Sequence, residues 1–435
     1  MKRPIVIALL VAALVFVLAG IGAVIFFTAN GGFATNNPFD RRNISSELEE
    51  SKTLKVDTGK PLTLKVADAA GDISITGADV ESVQVQVVKT AYDSSQSRAD
   101  EEVKGIKYTI EQNGNTITLK YEIPDSMNFS NNVNTVDFMV TVPAEVTVDV
   151  QTGGGEVNVS GTKGSVDIIN SFGNIELENL SGALNVETQS GRVDASSIIA
   201  GNADIILNSG FGNIYLIKAT GANVKLESNS GTLDVENVRA SKDMELSSDF
   251  GNVKFKNGSA ASLTISTNSG TVDLTSVNVS GALLVKDDFG DIHLEKVKAE
   301  SYDTQTDSGS ITIDGAQAKV KAHTGFGNIT IRNAENAVLD LNTKSGAIDF
   351  EGSIGEGANS VHSDFGGIKL SIPADSALNV DFGTDFGSIR SDIPITVILS
   401  GNVDQSHQNG SINGGGSDFK VSTKSGDITV KVLGQ

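Results

Sequence analysis

The chain has 435 residues, with 33 Lys and Arg against 54 Asp and Glu, and its net charge of −21 repels phosphate backbones and argues against nucleic acid as a partner. Forty-six glycines, no Trp and only 5% aromatic residues describe a chain rich in turns and poor in large core anchors. Without cysteine there is no disulfide, thiol nucleophile or zinc-thiolate site, and four scattered histidines leave little for metal chemistry.

From Ile5 to Phe27 no charge interrupts 23 positions, enough for a helix to cover the ~30 Å hydrocarbon layer. Residues 1–30 therefore read as a cytoplasmic tip and a transmembrane signal-anchor helix. A cleavable signal peptide is the competitor, but its apolar region usually runs only ~7–15 residues. Lys2 and Arg3 favour a cytoplasmic N-terminus, although Arg41 and Arg42 weaken that argument. The expectation is a single-pass protein of the cell membrane, held in the lipid bilayer by this helix with its C-terminal domain extracytoplasmic. Residues 31–52 read as a linker with one helical turn near Ser46–Glu50.

Residues 53–150 read as a β-rich cap. Leu62, Leu64 and Val66, then Ile73 and Ile75, then Val83, Val85 and Val87 alternate with polar residues at the period of half-buried strands. Asn113-Gly114 lies between two apolar runs as a hairpin turn, and Ser94–Lys104 is a short helix or a loop.

The strongest signal covers residues 151–435. Phe-Gly recurs with glycines at 173, 212, 251, 290, 327 and 366, and Ser-Gly falls between them with glycines at 191, 231, 270, 309 and 346. The repeat is thus about 39 residues in two similar halves, each a coil of about 19–20 residues with two short strands and no helix signal. Such a coil buries its apolar face only by stacking, which predicts an all-β fold, a parallel β-helix (β-solenoid) of about fourteen coils from Gly155 to Gly426. A left-handed form would need an apolar residue at every sixth position, a step that Ile175, Leu177, Leu180, Leu184 and Val186 do not keep, so the right-handed form is favoured.

Stacking turns equivalent positions into columns. Leu180, Ile198, Ala219, Val238, Gly258, Val277, Val297, Ala316, Ala334 and Ile354 form a core corner. Strand parity carried forward from Leu184 and Val186 points the residue before each glycine inward, so that Phe172, Phe211, Phe250, Phe289, Phe326 and Phe365 pack between smaller serines; the alternative is an exposed aromatic stripe that binds sugar rings. Two positions before these lies a row of hydroxyls, from Thr188 and Ser209 to Thr343 and Ser363, expected to satisfy one another along the stack. Asp287 breaks that row, either by a local parity shift that turns it outward with Asp288 or as a buried carboxylate of raised pKa. An outward column of Glu176, Asp194, Tyr215, Asp234, Lys254, Asp273, His293, Thr312, Thr330, Asp349 and Lys369 mixes charges in the manner of register support.

The glycines at coil starts read as turns needing positive φ, since no phosphate-binding, nucleophile-elbow or zinc-protease motif is present. No catalytic, cofactor-binding or metal residue is assigned. Asp287, Asp288 and His293 are the one local group that could support enzymatic chemistry, and their plainer reading is surface turn residues beside Gly290.

Gly71-Asp72-Ile73-Ser74-Ile75, Val142-Pro143-Ala144, the repeated Ser-Gly coils and the closing Ser425-Gly426-Asp427-Ile428-Thr429-Val430 together resemble the putative adhesin domain of bacterial membrane-anchored β-strand repeat proteins, LiaG-like ones among them. The resemblance covers roughly residues 60–435. It implies a β-helical extracytoplasmic domain, adhesion to a surface glycan or protein, and association with envelope-stress genes, and it supplies no catalytic residues. The function expected is therefore a non-enzymatic, membrane-anchored adhesin-like or cell-envelope interaction protein. The alternatives are a β-helical polysaccharide lyase or hydrolase, which would need converging carboxylates, and an accessory to an envelope-stress signalling system.

Overall fold

A computed structural model describes residues 44–123, 133–397 and 406–434. The segment expected to span the membrane lies outside these residues, and among the described residues no helix is long and apolar enough to cross a membrane. The chain forms two compact units. The smaller comprises, of the described residues, 44–49, 88–106, 123 and 133–135. It holds the helix Gln96–Gly105, which buries Ala99 and Val103, and Asn134 ties it together by accepting from the Tyr92 amide and donating to Glu102. The interruption after Ser94 is thus a helix. Residues 44–55, by contrast, are strand where a linker and a helical turn were expected, because this strand is exposed along most of its length and shows little apolar periodicity.

The larger unit is a β-solenoid. Each coil contributes a short strand, such as Ile175–Glu178, then a tight corner, then a longer strand, such as Leu184–Ser190. Short strands pair in parallel with short strands and long with long, in register, so Ile175 lies on Val193, Ile214 and Leu233 in turn. Around the corner a two-residue strand is added in three successive coils, at Arg239–Ala240, Ser259–Ala260 and Asn278–Val279. Inward-facing Val, Ile and Leu fill the space between, nearly all without solvent exposure, and each stabilises the stack by about 1.5–3 kcal/mol relative to an exposed position.

The expected core corner is observed for Leu180, Ile198, Ala219, Val238, Val277, Val297, Ala316 and Ala334, all buried, whereas Ile354 is half-buried and pairs with Ala337, leaving Gly352 beside Ala334. At Gly258 the missing side chain is replaced by a neighbour, since a Cβ there would lie 2.2 Å from the ring of Phe255. Directly before this column runs a second one that sequence periodicity does not show. Asn179, Ser197, Lys218, Asn237, Asn257, Ser276, Lys296 and Asn333 all adopt φ between 51° and 57°. One left-handed residue per coil makes the turn, and Asn recurs because its side chain tolerates that conformation.

Both ends of the solenoid are assembled out of chain order. The strand Leu62–Asp68 pairs on one side with Val146–Thr152 and on the other with Thr116–Tyr121, so the first coil in sequence is sandwiched by later ones. The stack therefore begins well before the regular repeat, with strands of the β-rich cap region supplying its first coils. The expected Asn113-Gly114 hairpin joins Tyr108–Asn113 antiparallel to Thr116–Tyr121. At the other end Ser417–Ser425 slots between Ala358–Phe365 and Leu378–Phe386, and His407–Ile412 runs antiparallel on the latter. Antiparallel strands thus cover edges that would otherwise offer free hydrogen-bonding groups.

Candidate functional site

The corner at which each long strand meets the next short strand is built from three adjacent columns: a hydroxyl, an aromatic or serine, and a glycine. The glycines stack most closely. A Cβ on Gly173 would lie 2.0 Å from the carbonyl oxygen of Gly155, on Gly191 2.0 Å from that of Gly173, and on Gly309 1.9 Å from that of Gly290. Positive φ is confined to some of these positions, such as Gly173 at 131° and Gly191 at 150°. Close approach of one backbone to the next, more than turn geometry, is what demands glycine along this ladder.

The hydroxyls are buried as expected but do not satisfy one another. Most donate to the glycine carbonyl of the preceding coil, as Ser209 does to Gly191, Ser228 to Gly212, Ser248 to Gly231, Thr324 to Gly309 and Ser363 to Gly346, at 2.9–3.4 Å. Asn170 occupies this row and donates to both Gly155 and Gly173, which leaves Thr188 Oγ1 without a partner. The residue after the glycine adds a further bond between coils. Asn174, Asn213, Asn252 and Asn328 accept the amides of Arg192, Thr232, Thr271 and Ala347 at 2.8–3.1 Å, which explains why Asn follows Phe-Gly so often.

Phe172, Phe211, Phe250, Phe289, Phe326, Phe365 and, in addition to the six expected from the repeat, Phe386 are 60–79% exposed. The expectation that they point into the core is overturned. Alternation holds up to the buried hydroxyl, but the residue after it drops out of the pairing between coils and the ring that follows faces solvent, at Phe289 as well, where Asp287 stands in place of the hydroxyl. What results is a ladder of exposed rings, each followed on the neighbouring rung by a serine: Phe172 beside Ser190, Ser190 beside Phe211, Phe250 beside Ser269 and Ser269 beside Phe289.

The out-of-order C-terminus extends this pattern. In sequence Phe365 is followed by a second Phe-Gly coil at Phe386. In space Ser425 pairs with both, giving Phe365, Ser425, Phe386. The alternation of large and small is thus a property of the assembled stack.

Asp287, Asp288 and His293 do not form a site. Asp287 keeps its inward position, in register between Thr267 and Thr306, and is only 3% exposed, so the parity shift is absent. Burial, opposed by the Phe289 amide and reinforced by the negative charges of Asp288 and Asp291, raises its pKa to about 6. Asp288 faces solvent beside the ladder, and His293 lies on the short-strand face between Asp273 and Thr312. The outward column to which His293 belongs keeps the expected register, including an Asp349–Lys369 ion pair at 3.4 Å. Among the described residues no group of three or more His, Cys, Asp or Glu is placed to hold a metal.

The Asp287 carboxylate replaces a hydroxyl donor with an acceptor, and its Oδ2 is left unpartnered. Asp287→Thr, which restores the donor, is expected to stabilise the protein at neutral pH by about 1–3 kcal/mol, the cost of an unsatisfied buried polar group. The sign of the pH dependence follows. The folded carboxyl holds its proton up to about pH 6 whereas the unfolded one releases it near 3.8, so stability conferred by the protonated form is lost as pH rises through that window. Asp68, also buried at the end of the row and raised to about 7 by its burial, extends the slope upward. Urea midpoints from pH 4 to 8 should therefore fall less steeply in Asp287→Thr than in the wild type, and identical slopes would refute the assignment.

Sequence reasoning also missed a groove of about 450 Å³ near the C-terminal end, where the late insertion brings His362 and His407 to the same surface. Each is already engaged. His362 bonds Ser422 and Asp364, and His407 lies 3.4 Å from Asp381.

The Toastrack family model, DUF4097, matches this sequence over residues 64–283 and again over 257–431. The chain belongs to the Toastrack family. The two matches together span the solenoid, whose out-of-order first and last coils mark the ends of this Toastrack region. A solved structure described as a putative cell adhesion protein of Clostridium sporogenes is 11% identical, covers 89% of this chain and 99% of its own, and has a TM-score of 0.18. Another, a putative adhesin of Bacteroides fragilis, is 17% identical over 66% of this chain and 97% of its own, with a TM-score of 0.31. No curated protein matches the sequence.

Proposed function

We propose that this Toastrack protein is a membrane-anchored, extracytoplasmic interaction module of adhesin-like, non-enzymatic action. The observation that carries the reading is the ladder of seven exposed phenylalanines, a regular series that the scattered exposed Ile169, Ile199 and Ile217 do not form. Isolated large apolar side chains at a surface need no explanation, but a regular series held by a rigid backbone marks a binding surface. Hydrolase or lyase chemistry needs an acid and a base within a few ångströms, and the three candidate residues are distributed over two faces and the interior. The anchor is residues 5–27, with Lys2 and Arg3 in the cytoplasm and the solenoid, wound in the right-handed sense, outside. A role beside an envelope-stress signalling system is compatible with this placement but draws on no residue of the site.

The test joins location to binding. Protease added to intact cells with a permeable wall is expected to degrade the solenoid, and full protection would overturn the topology. Full-length protein displayed on cells should support attachment to surfaces or neighbouring cells that weakens when Phe250 and Phe289 are changed to Ser. Equal attachment by the variant would remove the ladder from the function.

A further inference from the structure

The spacing of the ladder points to its ligand. Two rungs separate successive rings, which at ~4.8 Å per rung places them about 9.6 Å apart along a straight line. A contiguous apolar partner would be met by an unbroken hydrophobic strip, yet every second rung here presents the small polar side chain of a serine. The positions beside the rings are polar as well, with Asp249, Asn268, Asp288 and Asp307 exposed next to Phe250, Ser269, Phe289 and Ser308. The partner must therefore offer an apolar face at regular intervals and hydroxyl or amide groups between them.

We infer that the phenylalanine ladder binds an extended, neutral β-1,4-linked polysaccharide lying along the solenoid, with one sugar of each disaccharide stacked on a ring. In such a chain each sugar is turned over relative to the last, so the same face recurs once per disaccharide, about 10 Å along, close to the ~9.6 Å of two rungs. The axial C–H groups of a pyranose supply the apolar face that packs on an aromatic ring. The intervening sugar presents its hydroxyls to the Ser, Asn and Asp side chains of the serine rung, which offer both donors and acceptors. Charge narrows the class. Asp249, Asp288 and Asp385, exposed directly before Phe250, Phe289 and Phe386, outnumber Lys344 and Lys424 beside the serine rungs and disfavour polyuronates and other anionic glycans, within a chain of net charge −21.

The C-terminal insertion supports the same conclusion from a different direction. Chain order alone would set two phenylalanine coils on adjacent rungs, with rings only ~4.8 Å apart. Inserting the Ser425 coil between Phe365 and Phe386 restores the two-rung step at the cost of a long excursion of the chain. Spacing of the rings is what the out-of-order assembly preserves.

This inference rests on the ladder being the binding surface and adds the ligand and its register. The experiment uses the full-length protein in detergent, with cello-oligosaccharides and chito-oligosaccharides of increasing length as probes in calorimetric titration. Affinity is expected to rise in steps as each added disaccharide reaches another ring. Phe250→Ser with Phe289→Ser should weaken the longest probes by about tenfold or more, given a contribution near that of an aromatic pair from each ring. Gly105→Ala, in the smaller unit where an added Cβ meets nothing within 4 Å, should bind as wild type. Binding of polygalacturonate in preference to the neutral probes, or binding unchanged by the double variant, would overturn the proposal. So would sedimentation showing a dimer that the double variant dissociates, since the ladder would then be an interface between two copies. If no oligosaccharide binds while cell attachment still depends on Phe250 and Phe289, the ligand assignment fails and the adhesin-like function stands.

Discussion

Gly309→Ala is expected to destabilise the solenoid by about 4 kcal/mol or more, among the largest effects a single methyl can have. The added Cβ would lie 1.9 Å from the Gly290 carbonyl oxygen and 2.5 Å from the carbonyl carbon, both backbone atoms. No side chain can swing aside to make room. Gly290 is itself held by Thr306, whose hydroxyl donates to the same carbonyl at 3.3 Å, and by the parallel pairing of its neighbours on either side. Relief therefore requires the rungs to part, with loss of hydrogen bonds above and below. Gly105→Ala is the control, since nothing lies within 4 Å of a Cβ at that position, and its effect should stay within about 0.5 kcal/mol. In the absence of Trp, urea unfolding followed by far-ultraviolet circular dichroism is the suitable measurement. An unchanged midpoint for Gly309→Ala would show that the coils are not stacked glycine on glycine.

Phe255→Ala should cost about 3–5 kcal/mol through a cavity, whereas Phe250→Ala, five residues earlier, should leave stability within about 0.5 kcal/mol of the wild type. Phe255 has no exposed surface, and its ring fills the corner opened by Gly258. Phe250 is 60% exposed and gives up little on truncation. Sequence parity alone assigns the large loss to Phe250, so the pair separates the two readings by the same urea measurement. A drop at Phe250 equal to that at Phe255 would return the ladder to the core and remove the surface on which the proposed function stands.

The repeat itself, the parallel stacking and the columns of buried Val, Ile and Leu were legible in the sequence, because each coil carries the same period-two pattern and the same glycine. So was the register of the outward charges from Glu176 to Lys369, which the strand pairings reproduce. The direction of the phenylalanines was not. Parity predicts it only while a strand pairs residue by residue, and at each corner the residue before the ring drops out of that pairing. Register explains why Asp287 stays inside: pairing between Thr267 and Thr306 sets the position whatever the side chain, and burial raises the carboxyl's pKa in response.

What the sequence determined by itself was the kind of fold and its repeat, since a coil of about 19–20 residues with one apolar face has no other way to bury it. What only the tertiary structure decided was the order of the coils at the two ends and the face on which the rings appear. Pairing between Leu62–Asp68 and Val146–Thr152, and between Ala358–Phe365 and Ser417–Ser425, joins segments about 60 to 80 residues apart. Local pattern carries no signal for such jumps, because every coil presents the same edge to any other. The choice is made by the closing of the stack, and that choice turns an interrupted series of Phe-Gly motifs into an evenly spaced ladder.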